Sequence, residues 1–432
     1  MTYKSTDKMY FWDVDTNSQK FDTAGNALEI HVPDPLRRSV EAATGGQCTV
    51  LYDDFDLPSY MRIIPAMNAA DLITLSPAAT GLHPAFLADG TKLPEIFIGM
   101  YQAYEIGGKA YSLPGKNPWV SINFDNARAA CVSKGDGWHL MTNWEWAAVA
   151  LWCMKNSFQP RGNTAHGRAH DAVFETGVRQ DGATYVPGDS DGVGNILTGS
   201  GPKAWRHDGT PAGIADLTGN VWEWVDGFKL VDGQVLMLPD NNVNLCTKEA
   251  DEALWMQVGL EPGAHETLGD EVDTGTLTNG VQYKITATEE NHFGAGLDVD
   301  DYFISDGTET CDSNNKVKPL LGHFFSDEGS VRLQNESGTQ TDNIRSVTWS
   351  SMVKIAGYKE SQLMRLGLIS PAGVSPQGTF YMRSADTRLP LRGGSRTLGS
   401  NAGLAALNLL SMRGSTFTNI GFRPAFIKPE YL

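Results

Sequence analysis

Tryptophan is the feature that most narrows what this chain can fold into. Eight of its 11 tryptophans lie between residues 119 and 224: Trp119, Trp138, Trp144, Trp146, Trp152, Trp205, Trp222 and Trp224. Each indole buries a large apolar area and carries one N–H that needs an internal partner, so the cluster marks a dense core where indoles stand in for regular layers. The strongest helical signal lies inside it. Thr142–Lys155 (TNWEWAAVALWCMK) opens with Thr142 as N-cap and Glu145 three residues on, a capping box, and its tryptophans occupy neighbouring turns. A second helix is expected over Phe124–Lys134, capped by Asn123 or Ser121, with Ala127, Ala130 and Cys131 on one face. Further helices are expected over Lys248–Gly259 and Ser361–Leu368.

Outside these segments the chain is turn-rich, with 46 glycines and 21 prolines. Short strands are expected at Cys48–Tyr52, Met61–Pro65 and 95–106. Residues 156–213 are loop-like, and the stretch of about 231–360 is acidic, glycine-rich and weakly periodic, an excursion from a core rather than a layered domain. The organisation expected is therefore α+β, with a small β-rich N-terminal module over 1–90 and a main domain over 91–432 that contains the long irregular insertion.

Charge and cysteine usage restrict partners. Net charge is 34 − 51 = −17, a poor basis for holding phosphates, so no nucleic-acid partner is expected. Apolar runs of about 18 residues are absent, so no membrane insertion is expected. The N-terminal MTYKSTDKMYFWDVDTNSQ lacks an apolar h-region, so a soluble chain without a signal peptide is expected. The five cysteines (Cys48, Cys131, Cys153, Cys246 and Cys311) are odd in number, scattered and without a CxxC, which reads as small buried apolar residues rather than disulfides or a zinc site.

Three blocks stand out beyond composition: Gly137–Trp152 (GWHLMTNWEWAAVALW), Gly213–Trp224 (GIADLTGNVWEW) and Arg392–Arg423 (RGGS…NAG…ALNL…R…NIGFR). Gly219-Asn220 suits a tight turn with positive φ. Trp222 and Trp224 alternate with Glu223, which reads as a structural hydrogen-bond partner, while Arg423 reads as a buried, paired arginine. In that order the blocks resemble the formylglycine-generating-enzyme subtype of the C-type lectin fold. They are more similar still to the variable proteins of diversity-generating retroelements, of the phage and prophage branch. The resemblance covers roughly 83–230 and 361–427.

The enzymes of that fold use a cysteine pair after RGGS, and Arg392–Leu432 contains no cysteine. Their sulfoxide-forming relatives need an iron-binding histidine cluster, and His166 with His170 alone does not make one. Ser395 lacks a GxSxG elbow. No catalytic residue is therefore assigned. The retroelement resemblance instead implies that 392–423 is a variable region presenting side chains to a ligand. The chain keeps the family pattern at Arg392–Ser395, Gly399–Gly403, Ala406–Leu409, Arg413 and Asn419–Ala425, and departs from it at interleaved positions. The resemblance implies ligand-binding positions at Arg396, Thr397, Leu398, Leu404, Ala405, Asn408, Leu410, Ser411, Ser415 and Phe417. Exposed leucine, phenylalanine and arginine there suit protein recognition.

The implied function is non-enzymatic: display of a hypervariable surface for a host-surface protein or glycan, on a virion tail if phage-encoded. A cellular surface or cytosolic variable protein is the alternative, and a residual oxidase is a disfavoured one. Tail fibres of this class imply a homo-oligomer, a trimer. No cofactor is required. Calcium stays open, because Asp189–Asn195 (DSDGVGN) spaces oxygens around a glycine turn, with Asp189, Asp191 and Asn195 as candidate ligands, although the glutamate of an EF-hand is missing.

Overall fold

The computed structural model describes residues 34–72, 81–247, 268–278, 281–319 and 376–432, together with short strand segments elsewhere in the chain. Its class is α+β, with few helices and many short strands. The expected helices at 248–259 and 361–368 lie mostly outside the described residues; where the first is described, Met256–Gln257 is a strand paired with Leu236 and Met237, not helix, because its partner comes from a separate segment of the chain.

Two helices brace the core: α1 (Phe124–Val132) and α2 (Asn143–Lys155). Asn123 caps α1, its side chain accepting from Asn126 N, so the cap falls on Asn123 and not Ser121. Thr142 and Glu145 form the full capping box of α2. The strands that matter are, in chain order, β1 (Cys48–Tyr52), β2 (Pro58–Pro65), β3 (Glu95–Gly99), β4 (Trp138–Leu140), β5 (Trp222–Trp224), β6 (Ile344–Thr348), β7 (Thr379–Arg383), β8 (Leu391–Arg392), β9 (Leu407–Leu409), β10 (Ile420–Phe422) and β11 (Pro424–Phe426). They form a five-stranded sheet in the order β4-β11-β3-β2-β1 and a six-stranded sheet in the order β6-β7-β9-β8-β5-β10.

The first sheet corrects the boundary expected at residue 90. β2 hydrogen-bonds to β3 along Met61–Pro65, and β11 sits between β3 and β4, so residues 48–65 and the last strand belong to one sheet. Pairing between segments far apart in the chain has no local sequence pattern, which is why the N-terminal strands read as separate. The insertion is corrected in part as well. Residues 281–319 contain a three-stranded sheet (Gln282–Ala287, Tyr302–Ile304, Lys316–Pro319) around its own apolar cluster of Leu277, Tyr283, Ile285, Phe293 and Val317. Its strands are short, and the glycine- and acid-rich turns between them dilute the alternation.

Tryptophan holds this arrangement as its spacing implied. Trp144 and Trp146 are buried on α2, and their indole N–H groups donate to Leu238 O at 3.1 Å and Leu404 O at 2.9 Å. Trp222 and Trp224 share one face of the six-stranded sheet, against Phe124, Ala127 and Cys131 of α1. The opposite face, with Phe380, Met382, Leu407 and Leu409, packs into the larger core with α2. Gly219 and Asn220 take φ of 76° and 61°, and a Cβ on Gly219 would lie 2.2 Å from Asn163 O, so this turn admits only glycine.

Two buried titratable groups sit in this framework. Lys134 is out of contact with water; its Nζ donates to Ser59 Oγ at 2.7 Å and lies over the Trp138 ring at 3.4 Å and the Tyr111 ring at 4.6 Å. Burial lowers its pKa to about 7. His139 has an oxygen at each ring nitrogen, Gly137 O at Nδ1 and Glu145 Oε1 at Nε2, both 2.9 Å away. An imidazole satisfies two acceptors only by donating from both nitrogens, so this setting favours the protonated ring and, against the lowering effect of burial, raises its pKa.

Candidate ligand-binding surface

The six-stranded sheet decides which side chains of the C-terminal block reach solvent. In β9, Leu407 and Leu409 point into the core and Asn408 points out; in β7, Phe380 and Met382 point in and Tyr381 points out. β7 and β9 pair in parallel with Tyr381 beside Asn408, and Asn408 is in turn beside Leu391 of β8. Helix α1 packs on this outer face through Trp224 and Phe422. Toward β7 the face is half-open, carrying Tyr381 and Asn408, with Leu398 lodged against the same cluster. The Tyr381 ring meets Trp222 edge-on at 6.1 Å, which fixes it. Tyr381 was not among the expected positions, yet the alternation of TFYMR (379–383) carries the signal for it.

Around this face runs the segment Arg396–Leu398. Arg396 and Leu398 are half-buried and Thr397 is exposed. The main chain there is pinned by backbone partners: Arg396 N donates to Asn220 O at 3.0 Å, His166 N to Arg396 O at 2.8 Å and Gly399 N to Thr164 O at 3.0 Å. The guanidinium of Arg396 reaches Thr418 O at 3.3 Å, joining this segment to the second one, Met412–Thr418. In that second segment Phe417 is 58% exposed and Met412 52%, while Ser415 is half-buried and accepts from Met412 N at 3.1 Å. Asn408 and Leu410 are half-buried and joined by Leu410 N donating to Asn408 Oδ1 at 2.8 Å.

Three expected positions are corrected. Leu404, Ala405 and Ser411 are buried. Gly403 explains the first two: a Cβ there would stand 2.2 Å from Gln377 O, so the chain passes tightly against the start of β7 and turns Leu404 into the core beside α2. Ser411 is held inside by Leu389 N donating to its carbonyl at 3.0 Å. Their departure from the family pattern is therefore not a sign of exposure.

Beneath the surface lies a polar network that keeps its backbone in place. Asn220 Nδ2 donates to Gln102 Oε1 at 2.7 Å, Gln102 Nε2 to Glu223 Oε1 at 3.0 Å, and Asn163 Nδ2 to Asn220 Oδ1 at 3.1 Å. All four residues are buried. Glu223 is thus a structural acceptor, as its setting between two indoles suggested.

The candidate calcium loop does not gather its three ligands. The carbonyls of Asp189 and Asp191, with that of Val186, accept from the guanidinium of the buried Arg179, which also makes a two-point contact with Asp181 at 3.0 and 2.6 Å. The convergent oxygens enclose a cation supplied by the chain itself. Asn195 is buried elsewhere, its amide toward Thr418 O at 3.5 Å and its Oδ1 without a hydrogen-bond partner. His166 and His170 part company too: His170 Nδ1 pairs with Thr164 Oγ1 at 2.9 Å, and burial, followed by the charges of Arg396 and Arg179, lowers the pKa of His166. Among the described residues no three His, Cys, Asp or Glu side chains gather as a cation's ligands would. All five cysteines are buried free thiols, and burial raises the pKa of each, to about 11 for Cys311, which disfavours the nucleophilic thiolate. No helix among the described residues is long and apolar enough to cross a membrane.

No protein-family model matches the chain, and no curated protein matches it.

Proposed function

We propose that the chain is a non-enzymatic variable protein that presents a diversified surface to a host-surface protein or glycan, as the receptor-binding or adhesion component of a phage or prophage tail. The framework belongs, on this reading, to the C-type lectin fold of the formylglycine-generating-enzyme subtype, and its second and third motif blocks meet here through Glu223 and Arg423. One observation carries the proposal. The exposed segments Arg396–Leu398 and Met412–Phe417 hang from backbone-to-backbone hydrogen bonds, to Asn220, His166, Thr164 and Ser121, and none of these depends on the side chain displayed. Side chains at Thr397 and Phe417 can change with every one of these bonds kept, and changes at Arg396, Leu398 and Ser415 give up only the side-chain contacts to Thr418 O, the sheet cluster and Met412 N. Tyr381, Asn408 and Leu410 lie beside them on the sheet face. No cofactor is needed for such a surface, and assembly as a homo-oligomer, a trimer on the tail, goes with it.

Sequencing the DNA around the coding region tests the class. A reverse transcriptase gene and a near-copy of the segment encoding 392–423 are expected beside it, with tail genes nearby. Their absence would sink the retroelement reading. Adsorption of the purified protein to a panel of bacterial strains tests the role: retention on a subset of strains is expected, and loss of that retention in Tyr381→Ala and Phe417→Ala.

A further inference from the structure

A groove of about 580 Å³ opens where α1, the turn Gly108–Lys109 and the C-terminal loop meet. That size falls in the ordinary range for small-ligand sites, roughly 300–1,000 Å³. Its lining is unlike the core beneath it. The apolar part is the half-buried indole of Trp119 with Ile122, Ala129 and Ala130; Trp119 is backed by Phe422 at 5.4 Å, so the ring is braced from behind. The polar part is contributed by Asn123, Asn126, Ser121, Ser133, Thr416 and Lys109. Asn126, Ala129, Ala130 and Ser133 recur at helical spacing, so one face of α1 and the residue just past it form a whole wall. No carboxylate lines the groove.

The rim is rigid. Ser121 is held at φ 60°, a conformation that residues with a side chain rarely adopt. Its N–H is directed at Phe417 O, 3.1 Å away, and Ile420 O, 3.2 Å away. The groove wall and the displayed loop are thereby one unit, with Thr416 lining the groove and Phe417 exposed next to it.

The ligand chemistry follows from the lining. A wholly apolar ligand would strip water from the amide and hydroxyls without replacing their hydrogen bonds. A phosphate would find one ammonium, and that one already lies over the Phe55 ring at 4.3 Å. A pyranose offers an apolar C–H face for an indole and a ring of hydroxyls that both donate and accept, as amides and hydroxyls require. We propose that this groove is a carbohydrate subsite, in which one pyranose ring stacks on Trp119 while Asn126, Ser121 and Thr416 take its hydroxyls. The site deepens the display reading and rests on it for the part played by the neighbouring loop: a constant sugar pocket would sit beside a changeable rim.

The test is retention of the whole protein on a printed array of hexoses, N-acetylhexosamines, uronic acids and sialic acids with their short oligosaccharides. Ala129→Gln fills the groove from an exposed helical position that tolerates glutamine, and Trp119→Ala removes the platform. Wild type is expected to hold at least one pyranoside, with a loss of about tenfold or more in both variants. Ala129→Gln with an unchanged thermal melt keeps the result readable if Trp119→Ala fails to fold. An array that retains no wild-type protein, or retention untouched by Ala129→Gln, overturns the subsite. Retention lost in Ala129→Gln but kept in Phe417→Ala and Tyr381→Ala supports the groove and counts against the displayed face. The reverse pattern keeps the displayed face and removes the groove.

Discussion

Arg423 and Glu223 meet in a buried two-point contact, Nε to Oε2 at 2.9 Å and Nη2 to Oε1 at 2.8 Å, with both side chains out of contact with water. Two further guanidinium N–H groups donate to Gly99 O at 2.7 Å and Ala215 O at 2.9 Å. Gly99 ends β3 in one sheet and Glu223 is the middle of β5 in the other, so this one arginine ties the two sheets together.

Glu223→Gln should therefore cost about 3–5 kcal/mol, because it leaves the guanidinium buried without its counter-charge. Denaturant unfolding at neutral pH measures it. A loss under about 1 kcal/mol would mean that the two carbonyls suffice to hold the arginine.

Leu404→Ala and Phe417→Ala should separate cleanly. Leu404 lies in the core with α2, and truncating it should cost about 2–5 kcal/mol. Phe417 stands mostly in solvent, so its truncation should leave the unfolding midpoint within about 0.5 kcal/mol of wild type. Equal losses would place Phe417 in the core and remove it from the displayed set.

Chelation should not move the thermal melt, since Arg179 occupies the oxygens of the 186–191 turn. Arg179→Met should loosen that turn, read as faster amide exchange at Val193, whose N–H donates to Asp181 Oδ2 at 2.9 Å. A melt lowered by chelator would restore the metal.

His139 gives a pH dependence of known sign. Burial works to lower its pKa, but the Glu145 carboxylate and the Gly137 carbonyl outweigh that and raise it above the ordinary 6.5. Its contribution is complete below about 6.5, the value in the unfolded chain, and is lost as pH rises through the higher folded value. Lys134, lowered to about 7, acts with the opposite sign above that pH, since there the unfolded chain holds a proton that the folded one has released. In a Lys134→Met background, melts from about pH 6 to about pH 9 should fall, and His139→Gln should flatten the fall.

The elements set by local chemistry were legible in the sequence. The capping box of α2, the Asn123 cap of α1, the tight turn at Gly219-Asn220 and the shared face of Trp222 and Trp224 each depend on residues within a few positions of one another. What depended on distant partners was not. β1 and β2 looked like a separate module because their partner β3 begins some 30 residues later and β11 far beyond. Leu404 and Ala405 looked displayed because an irregular segment has no period from which to read burial, and the carbonyl of Gln377 that forces the turn is contributed by another segment. Tyr381 lay in a readable alternation but outside the block that drew attention.

The position of β5 has a consequence for how the protein is made. Its neighbours in the sheet are β8 and β10, which leave the ribosome about 170 and 200 residues after it, and β11 then fills the gap between β3 and β4. Until that last stretch emerges, Trp222 and Trp224 have no strand on either side and the Trp146 indole lacks its Leu404 acceptor. The C-terminal block that carries the candidate ligand-binding positions is thus also the one that closes the fold. A substitution that disturbs the anchoring residues of this block would therefore leave the core around Trp146, Trp222 and Trp224 incomplete.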